Sequence, residues 1–372
     1  MKYLYAIIMG LMACLVLNGC LPVNALFLGN PDPKDMTRFE ARKIKPGEQC
    51  FEFPIASGNW AASLQINDWT KDIPFSVNLT ELASSHKVRS LLVIQNDSIR
   101  FAYYGQGTSK NDLHPSYSIA KSFTATLIGI AIDEEFIESE KELAVKYIPE
   151  IAHLPQSKTL TIEHLLNHTS GIKYGLTVDA TIYYGKNWLK SLKKLTFETE
   201  PGCKQHYLNI NVQLLALILQ RTTKKYPAEY LQEKIWQPIE MCAEGIWSTD
   251  KKNELEKTYC CLGATAEDYA KFGRLYLNKG KWQGKQVFSE TWYNKTIRRD
   301  TSNASSYNYN YCWHIGLKAY DDFMAIGLYK QHVYVNPQKN LIIVLLNNKE
   351  NKLKAERVIW WNIFRQIADQ VE

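Results

Sequence analysis

The strand-like stretches of this chain lie towards its two ends, with the whole of a mostly helical middle between them. Residues 91–95 and 99–104 flank Asn96-Asp97, a turn-favouring pair, and read as a β-hairpin. Strand patterns return only at 311–317, 323–326, 331–335 and 341–346, the last two separated by Asn336-Pro337-Gln338-Lys339-Asn340. A lone hairpin is marginal in water, so remote segments have to meet in one sheet that carries the helical middle as an insertion. A terminal helix over 352–368, with Val358, Trp361, Ile363, Phe364 and Ile367, suits a face packed on that sheet. A chain of 372 residues with 45% hydrophobic and 12% aromatic content can bury the large core this requires.

Within the middle, strong helices are expected at 118 to about 132, at 211–222 and at 266–277; ahead of the hairpin, a shorter N-terminal one is expected around 35–42. The helix at 118 opens with Ser118-Ile119-Ala120-Lys121. Spacing i, i+3 puts the serine and the lysine on one helix face. A serine hydroxyl needs a partner to take its proton before it attacks a carbonyl, and a helix N-terminus favours the anions of acyl transfer. The same spacing recurs at Ser84/Lys87, Ser170/Lys173, Ser191/Lys194 and Ser248/Lys251, but only Ser118 begins a long, nearly uncharged run.

Further motifs follow in order: Leu160-Thr161-Ile162-Glu163-His164-Leu165-Leu166-Asn167-His168-Thr169-Ser170-Gly171-Ile172, then Pro201-Gly202 ahead of Tyr207-Leu208-Asn209, then Ala264-Thr265-Ala266-Glu267-Asp268-Tyr269-Ala270-Lys271-Phe272-Gly273. Together with Ser118-Ile119-Ala120-Lys121-Ser122, and from about residue 90 to about 348, the chain resembles the serine β-lactamase and penicillin-recognising hydrolases. Within them it is similar to the class C-like branch of D-alanyl carboxypeptidases, esterases and 6-aminohexanoate-dimer hydrolases. The resemblance implies an α+β fold, an antiparallel sheet flanked by helices with an inserted helical subdomain. The sheet would come from about 85–108 and 305–372, the helical subdomain from about 109–300, all within a hydrolase domain spanning 54–372.

Tyr207 matches the family's Tyr-x-Asn element, with Leu208 where serine is usual. A phenol titrates near 10, so it serves as a base at neutral pH only beside a cation, and Lys121 is the obvious one. The implied mechanism has the Tyr207/Lys121 pair take the proton of Ser118, Ser118 form an acyl-enzyme, and the same pair protonate the leaving group. Asn209 would bind a substrate amide or hold Lys121, or else cap the helix that follows. His168 suggests a Ser-His-carboxylate triad, but its motif is structural in the family. No Gly-x-Ser-x-Gly elbow occurs.

The third family element departs from its pattern. Relatives read Gly-His-x-Gly-Gln on a strand near the nucleophile. This chain reads Gly327-Leu328-Tyr329-Lys330-Gln331, so Leu328 replaces the basic group and Lys330 the glycine. A shifted register through Ala325-Ile326-Gly327 is the alternative, less favoured because Gln331 leads into Val333-Tyr334-Val335 as the family does. On a strand, 328 and 330 would share one face, and Lys330 would return a charge to the cleft or block it. Gln331, Lys330 and Asn209 are the expected substrate-binding residues.

Lys2 precedes an apolar stretch over 4–17, too short to span a bilayer but suited to an export signal. Leu17-Asn18-Gly19-Cys20 looks like a bacterial lipobox. On that reading residues 1–19 are removed, Cys20 is lipidated, and 20–53 form a tether with an N-terminal helix. Leu21 follows where inner-membrane lipoproteins carry Asp, so the expected location is the outer membrane, facing the periplasm. Beyond Cys14 in the signal and Cys20, the cysteines at 50, 203, 242, 260, 261 and 312 form an even set in a compartment where disulfides persist, with connectivity open. No metal-ligand spacing appears and no cofactor is expected. A net charge of +6 with scattered Lys and Arg gives nucleic-acid binding no support. The expected partners are the membrane, through the lipid, and a small-molecule or peptide substrate. Two functions fit: a serine hydrolase of amides or esters, and an inert penicillin-binding-like protein that binds cell-envelope peptides.

Overall fold

A computed structural model of the chain describes residues 31–58, 60–68, 75–173, 175–185, 188–251, 254–299, 308–347 and 357–371. The export signal, Cys20 and the first part of the tether lie outside these residues. The hairpin forms as expected: β1 (Ser90–Gln95) and β2 (Ser98–Tyr104) are joined by Asn96 and Asp97, both left-handed with φ of 51° and 56°, as a tight two-residue hairpin turn requires. From the other end come β3 (Tyr309–Asn310), β4 (Trp313–Ile315), β5 (Phe323–Gly327), β6 (Gln331–Asn336) and β7 (Leu341–Leu346). They join in one antiparallel sheet ordered β3-β4-β5-β6-β7-β1-β2, in which β7 and β1 bring the two chain ends together.

The helices that matter here are α1 (Ile119–Asp133), α2 (Ile162–Leu166), α3 (Leu176–Tyr184), α4 (Asn209–Thr223), α5 (Ala266–Leu277) and α6 (Arg357–Gln370). Alternation along the strands feeds two cores. Leu92, Ile94, Val333, Val335, Ile342 and Val344 pack with α1 and α5, while Leu91, Val93, Tyr334, Ile343 and Leu345 pack with α6. Both sheet faces are covered, which is why β7 reads as an unbroken apolar run. Of the terminal-helix residues named above, Ile363, Phe364 and Ile367 are buried, Trp361 is half-buried, and Trp360 takes the deep position beside them; Val358 and the helix start lie outside the described side chains. At Gly273 a β-carbon would stand 2.9 Å from Ile342 Cγ2, so α5 lies close on the sheet only because no side chain intervenes.

Two expectations are corrected. The N-terminal helix covers only Asp35–Arg38, and Ala41–Ile44 is instead a strand antiparallel to Gly245–Ser248. Arg42 is drawn there by the buried carboxylate of Glu256, which its Nε meets at 2.5 Å. The middle is also not helical throughout: Ala41–Ile44, Gly245–Ser248, Leu262–Ala264 and His114–Pro115 make a second, four-stranded sheet. Its last strand delivers the chain to Ser118.

Candidate active site

Ser118 occupies the N-cap position of α1, yet its side chain makes no capping bond to the helix. The hydroxyl instead accepts a hydrogen bond from Lys121 Nζ at 2.9 Å, one helical turn on. The approach is tightly fixed. Tyr117 is left-handed at φ 43°, and Ser116 N–H donates to Leu262 O at 2.7 Å while its Oγ accepts from Leu262 N at 3.1 Å. The small sheet thus clamps the turn that presents Ser118.

Lys121 is fully buried on a helix whose residues Ile119 to Ala131 are all buried. Its second partner is a main-chain oxygen, Tyr259 O at 2.8 Å. Burial lowers its pKa to about 7, against the opposing pull of Cys312 and Asp179. A desolvated ammonium loses more hydration than two neutral acceptors return, so the amine is uncharged in a large fraction of molecules at neutral pH.

Tyr207 is 43% exposed, and its ring centroid lies 4.9 Å from Lys121 Nζ. It stacks on His168. His168 is buried, accepts the Leu208 N–H on Nδ1 at 3.0 Å, and is held well below the usual histidine range by burial and then by the Lys121 charge. It therefore stays neutral and aligns the Tyr207 segment. Asn209 is the first residue of α4, whose N-cap is Leu208; its side-chain amide donates to Asp179 Oδ1 at 3.3 Å, which links it to the lysine at one remove. Neither Asp179 nor the Tyr259 carbonyl is legible in the sequence. A main-chain ligand leaves no side-chain signature in sequence, and Asp179 has no motif around it.

The third element is corrected as well. Gly327 ends β5 and pairs with Gln331 at the start of β6, so Leu328-Tyr329-Lys330 is a hairpin turn and not a strand. Tyr329 and Lys330 are left-handed, at φ 59° and 64°, so residues 328 and 330 do not share a strand face. Tyr329 closes on Tyr117 with rings edge to face at 5.2 Å and donates to Pro31 O at 2.7 Å. Leu328 is 46% exposed. Gln331 is buried, donating to Asn347 O at 2.6 Å and accepting from Asn347 N at 3.1 Å, so both ends of its amide bind the main chain. A β-carbon on Gly327 would stand 2.3 Å from Ser116 O, which brings β5 against the turn that leads to Ser118.

The structure therefore gathers Ser118, Lys121 and Tyr207 with Asn209 linked through Asp179, while Lys330 lies in the hairpin turn and Gln331, expected to bind substrate, spends its amide on the Asn347 main chain. Of the cysteines, Cys50 pairs with Cys242 and Cys260 with its neighbour Cys261, while Cys203 and Cys312 are free thiols. Among the described residues no cluster of three or more His, Cys, Asp or Glu is placed to hold a metal ion.

Comparison with known proteins bears on the family and the fold. Residues 85–368 match the family model described as Beta-lactamase. The chain is 20% identical over 295 residues to the 6-aminohexanoate-dimer hydrolase of Paenarthrobacter ureafaciens, covering 70% of this chain and 72% of that one. A Bacillus anthracis structure, assigned provisionally as a 6-aminohexanoate-dimer hydrolase, superposes with a TM-score of 0.81 at 24% identity over 90% of this chain and 92% of its own. A family VIII carboxylesterase superposes with a TM-score of 0.60 at 15% identity, over 77% of this chain and 95% of its own. At these identities the structural likeness speaks for the fold.

Proposed function

We propose, from the premise that this chain belongs to the beta-lactamase family, that it is a serine hydrolase cleaving an amide or ester through an acyl-enzyme on Ser118. The observation that carries this reading is the buried Lys121 amine 2.9 Å from Ser118 Oγ with a pKa brought down to about 7. In its neutral form the amine accepts the Ser118 proton as Oγ attacks the carbonyl carbon. The charge that then forms on the substrate oxygen sits at the N-terminus of α1, whose dipole stabilises an anion. Tyr207, close to the same amine, passes the proton to the leaving group, and water then hydrolyses the ester on Ser118. Lys121 is thus the first acceptor, and Tyr207 the shuttle that it charges and discharges. Asn209 supports the pair through Asp179.

We also propose that the protein is lipidated on Cys20 and held at the bacterial cell envelope, facing the periplasm from the outer membrane. The lipobox-like Leu17-Asn18-Gly19-Cys20 after the apolar stretch supports this. No helix among the described residues is long and apolar enough to cross a membrane.

The test is to label the purified protein in parallel with a fluorophosphonate and a fluorescent penicillin, then map the adducts. The proposal expects the fluorophosphonate adduct on Ser118 and none in Ser118→Ala. Adduct on another serine, or no labelling at all, overturns the hydrolase reading and favours an inert binder of cell-envelope peptides.

A further inference from the structure

The segment that supplies the lysine's main-chain partner carries two adjacent cysteines bonded to each other. Cys260–Cys261 follows directly on Tyr259, and both residues are nearly buried. The main chain around this ring is committed to the site and its frame. Tyr259 O accepts from Lys121 Nζ at 2.8 Å, Cys260 O from Trp247 Nε1 at 2.8 Å, and Cys261 O from Ser248 N at 3.0 Å. Leu262 makes the paired bonds with Ser116 that fix the nucleophile turn. Cys261 itself sits at φ 69°, in the left-handed region that a residue with a β-carbon occupies only when its surroundings hold it there. A covalent link between neighbouring side chains is such a restraint.

We propose that the Cys260–Cys261 disulfide is a redox-sensitive positioning element for Lys121, and that its reduction by a dithiol slows acylation of Ser118. This rests on the reading of Lys121 and Ser118 given above. In the chemical step a thiolate of the dithiol attacks one sulfur and breaks the S–S bond, leaving a mixed disulfide. The second thiol of the dithiol then displaces the protein sulfur. The protein has gained two electrons and two protons as two thiols, and the dithiol leaves as its disulfide. With the ring open, Cys261 relaxes out of the left-handed region and draws Tyr259 O and Leu262 with it. Lys121 loses one of its two partners, and water reaching Nζ relieves the burial that keeps its pKa low. Protonated lysine cannot take the serine proton, so the neutral-pH rate falls. Cys260 and Cys261 are only 5% and 8% exposed, so the reagent attacks as this segment opens locally and reduction is slow.

The experiment measures fluorophosphonate labelling rate against pH for the full-length protein before and after dithiothreitol, with alkylation and peptide mapping to show which bond has opened. Each unit of pH by which the midpoint rises removes about ten-fold of the neutral amine, so a fall of about ten- to a hundred-fold is expected at neutral pH. The midpoint of the rise with pH should move up from about 7, and reoxidation should restore both. Cys260→Ser with Cys261→Ser should behave as the reduced protein and ignore dithiothreitol, whereas Cys50→Ser with Cys242→Ser should keep the response. An unchanged rate and midpoint, with the 260–261 bond mapped as open, overturns the inference while leaving Ser118 and Lys121 intact as catalysts. Should the serine variants fail to fold, the mapped parent decides alone. No labelling in the oxidised protein is a different failure, since it removes the hydrolase reading itself.

Discussion

The rings of His168 and Tyr207 stack with centroids 4.5 Å apart and planes 22° from parallel, while His168 Nδ1 holds the amide of the next residue, Leu208. One neutral, buried imidazole therefore sets both the height and the tilt of the tyrosine above Lys121. His168→Ala should leave the Leu208 amide unmet in a dry site, costing about 1–3 kcal/mol of stability, and should lower kcat by more than it changes KM. Tyr207→Phe keeps the stack and removes only the hydroxyl. It should melt like the parent and lose activity by about 10²–10⁴. A Tyr207→Phe enzyme with the parental rate would show that the phenol carries no proton.

The pH dependence follows from Lys121. If its neutral form is the base, acylation rises with pH about a midpoint near 7. Stability moves the same way. The folded pKa lies below that of a free lysine, so between about 7 and 10.5 the unfolded chain binds more protons and stability rises with pH across that window. Lys121→Met should abolish acylation and flatten that gain relative to the parent, measured by chemical denaturation at pH 7 and at pH 9. A variant retaining the parental slope would place the titration elsewhere.

The legible parts of this molecule are those in which a single segment carries the whole signal. The hairpin at Asn96-Asp97 announces itself because a two-residue turn selects those residues, and α5 because Thr265 caps it and its apolar positions recur at helical spacing. Ser118 and Lys121 stand one turn apart on a helix, which fixes their meeting before any tertiary contact forms. The second sheet was invisible because its strands run from two to four residues, too short for any period, and find partners far along the chain. The placing of Leu328 and Lys330 on one strand face rests on the family pattern and not on these residues, which lie between the strand patterns at 323–326 and 331–335; the pairing of Gly327 with Gln331 makes the bend. Tyr259 acts through its carbonyl, which every residue possesses.

Gly327 permits the close approach of β5 to the turn that carries Ser118. A methyl there would press on the Ser116 carbonyl, a main-chain atom that cannot swing aside. Gly327→Ala should cost about 1–3 kcal/mol by overpacking and depress acylation beyond what that loss explains, because Ser116 is hydrogen-bonded to Leu262 and any displacement passes to Ser118. Thermal melting and fluorophosphonate labelling of the same preparation decide it. An alanine variant with full activity would mean that β5 retreats without disturbing the nucleophile turn.

The last prediction concerns which acyl groups the site accepts. β-Lactams and D-alanyl peptides carry a carboxylate, and the resemblance implies that relatives meet it partly through the basic residue where this chain has the half-exposed Leu328. A hydrogen bond from a charged donor contributes about 1.5–3 kcal/mol, so its loss should cost one to two orders of magnitude on anionic substrates and nothing on neutral esters. The hairpin geometry makes the repair straightforward to design. Lys330 is already left-handed at φ 64°, where glycine fits without penalty, so Leu328→His with Lys330→Gly should preserve the turn. The measurement is kcat/KM for a chromogenic cephalosporin against a neutral short-chain ester, in the parent and in this double variant. The parent should favour the ester, and the variant should gain on the cephalosporin relative to it. A parent that already prefers the cephalosporin, or a variant with no relative gain, would show that the carboxylate is met by another group of the cleft.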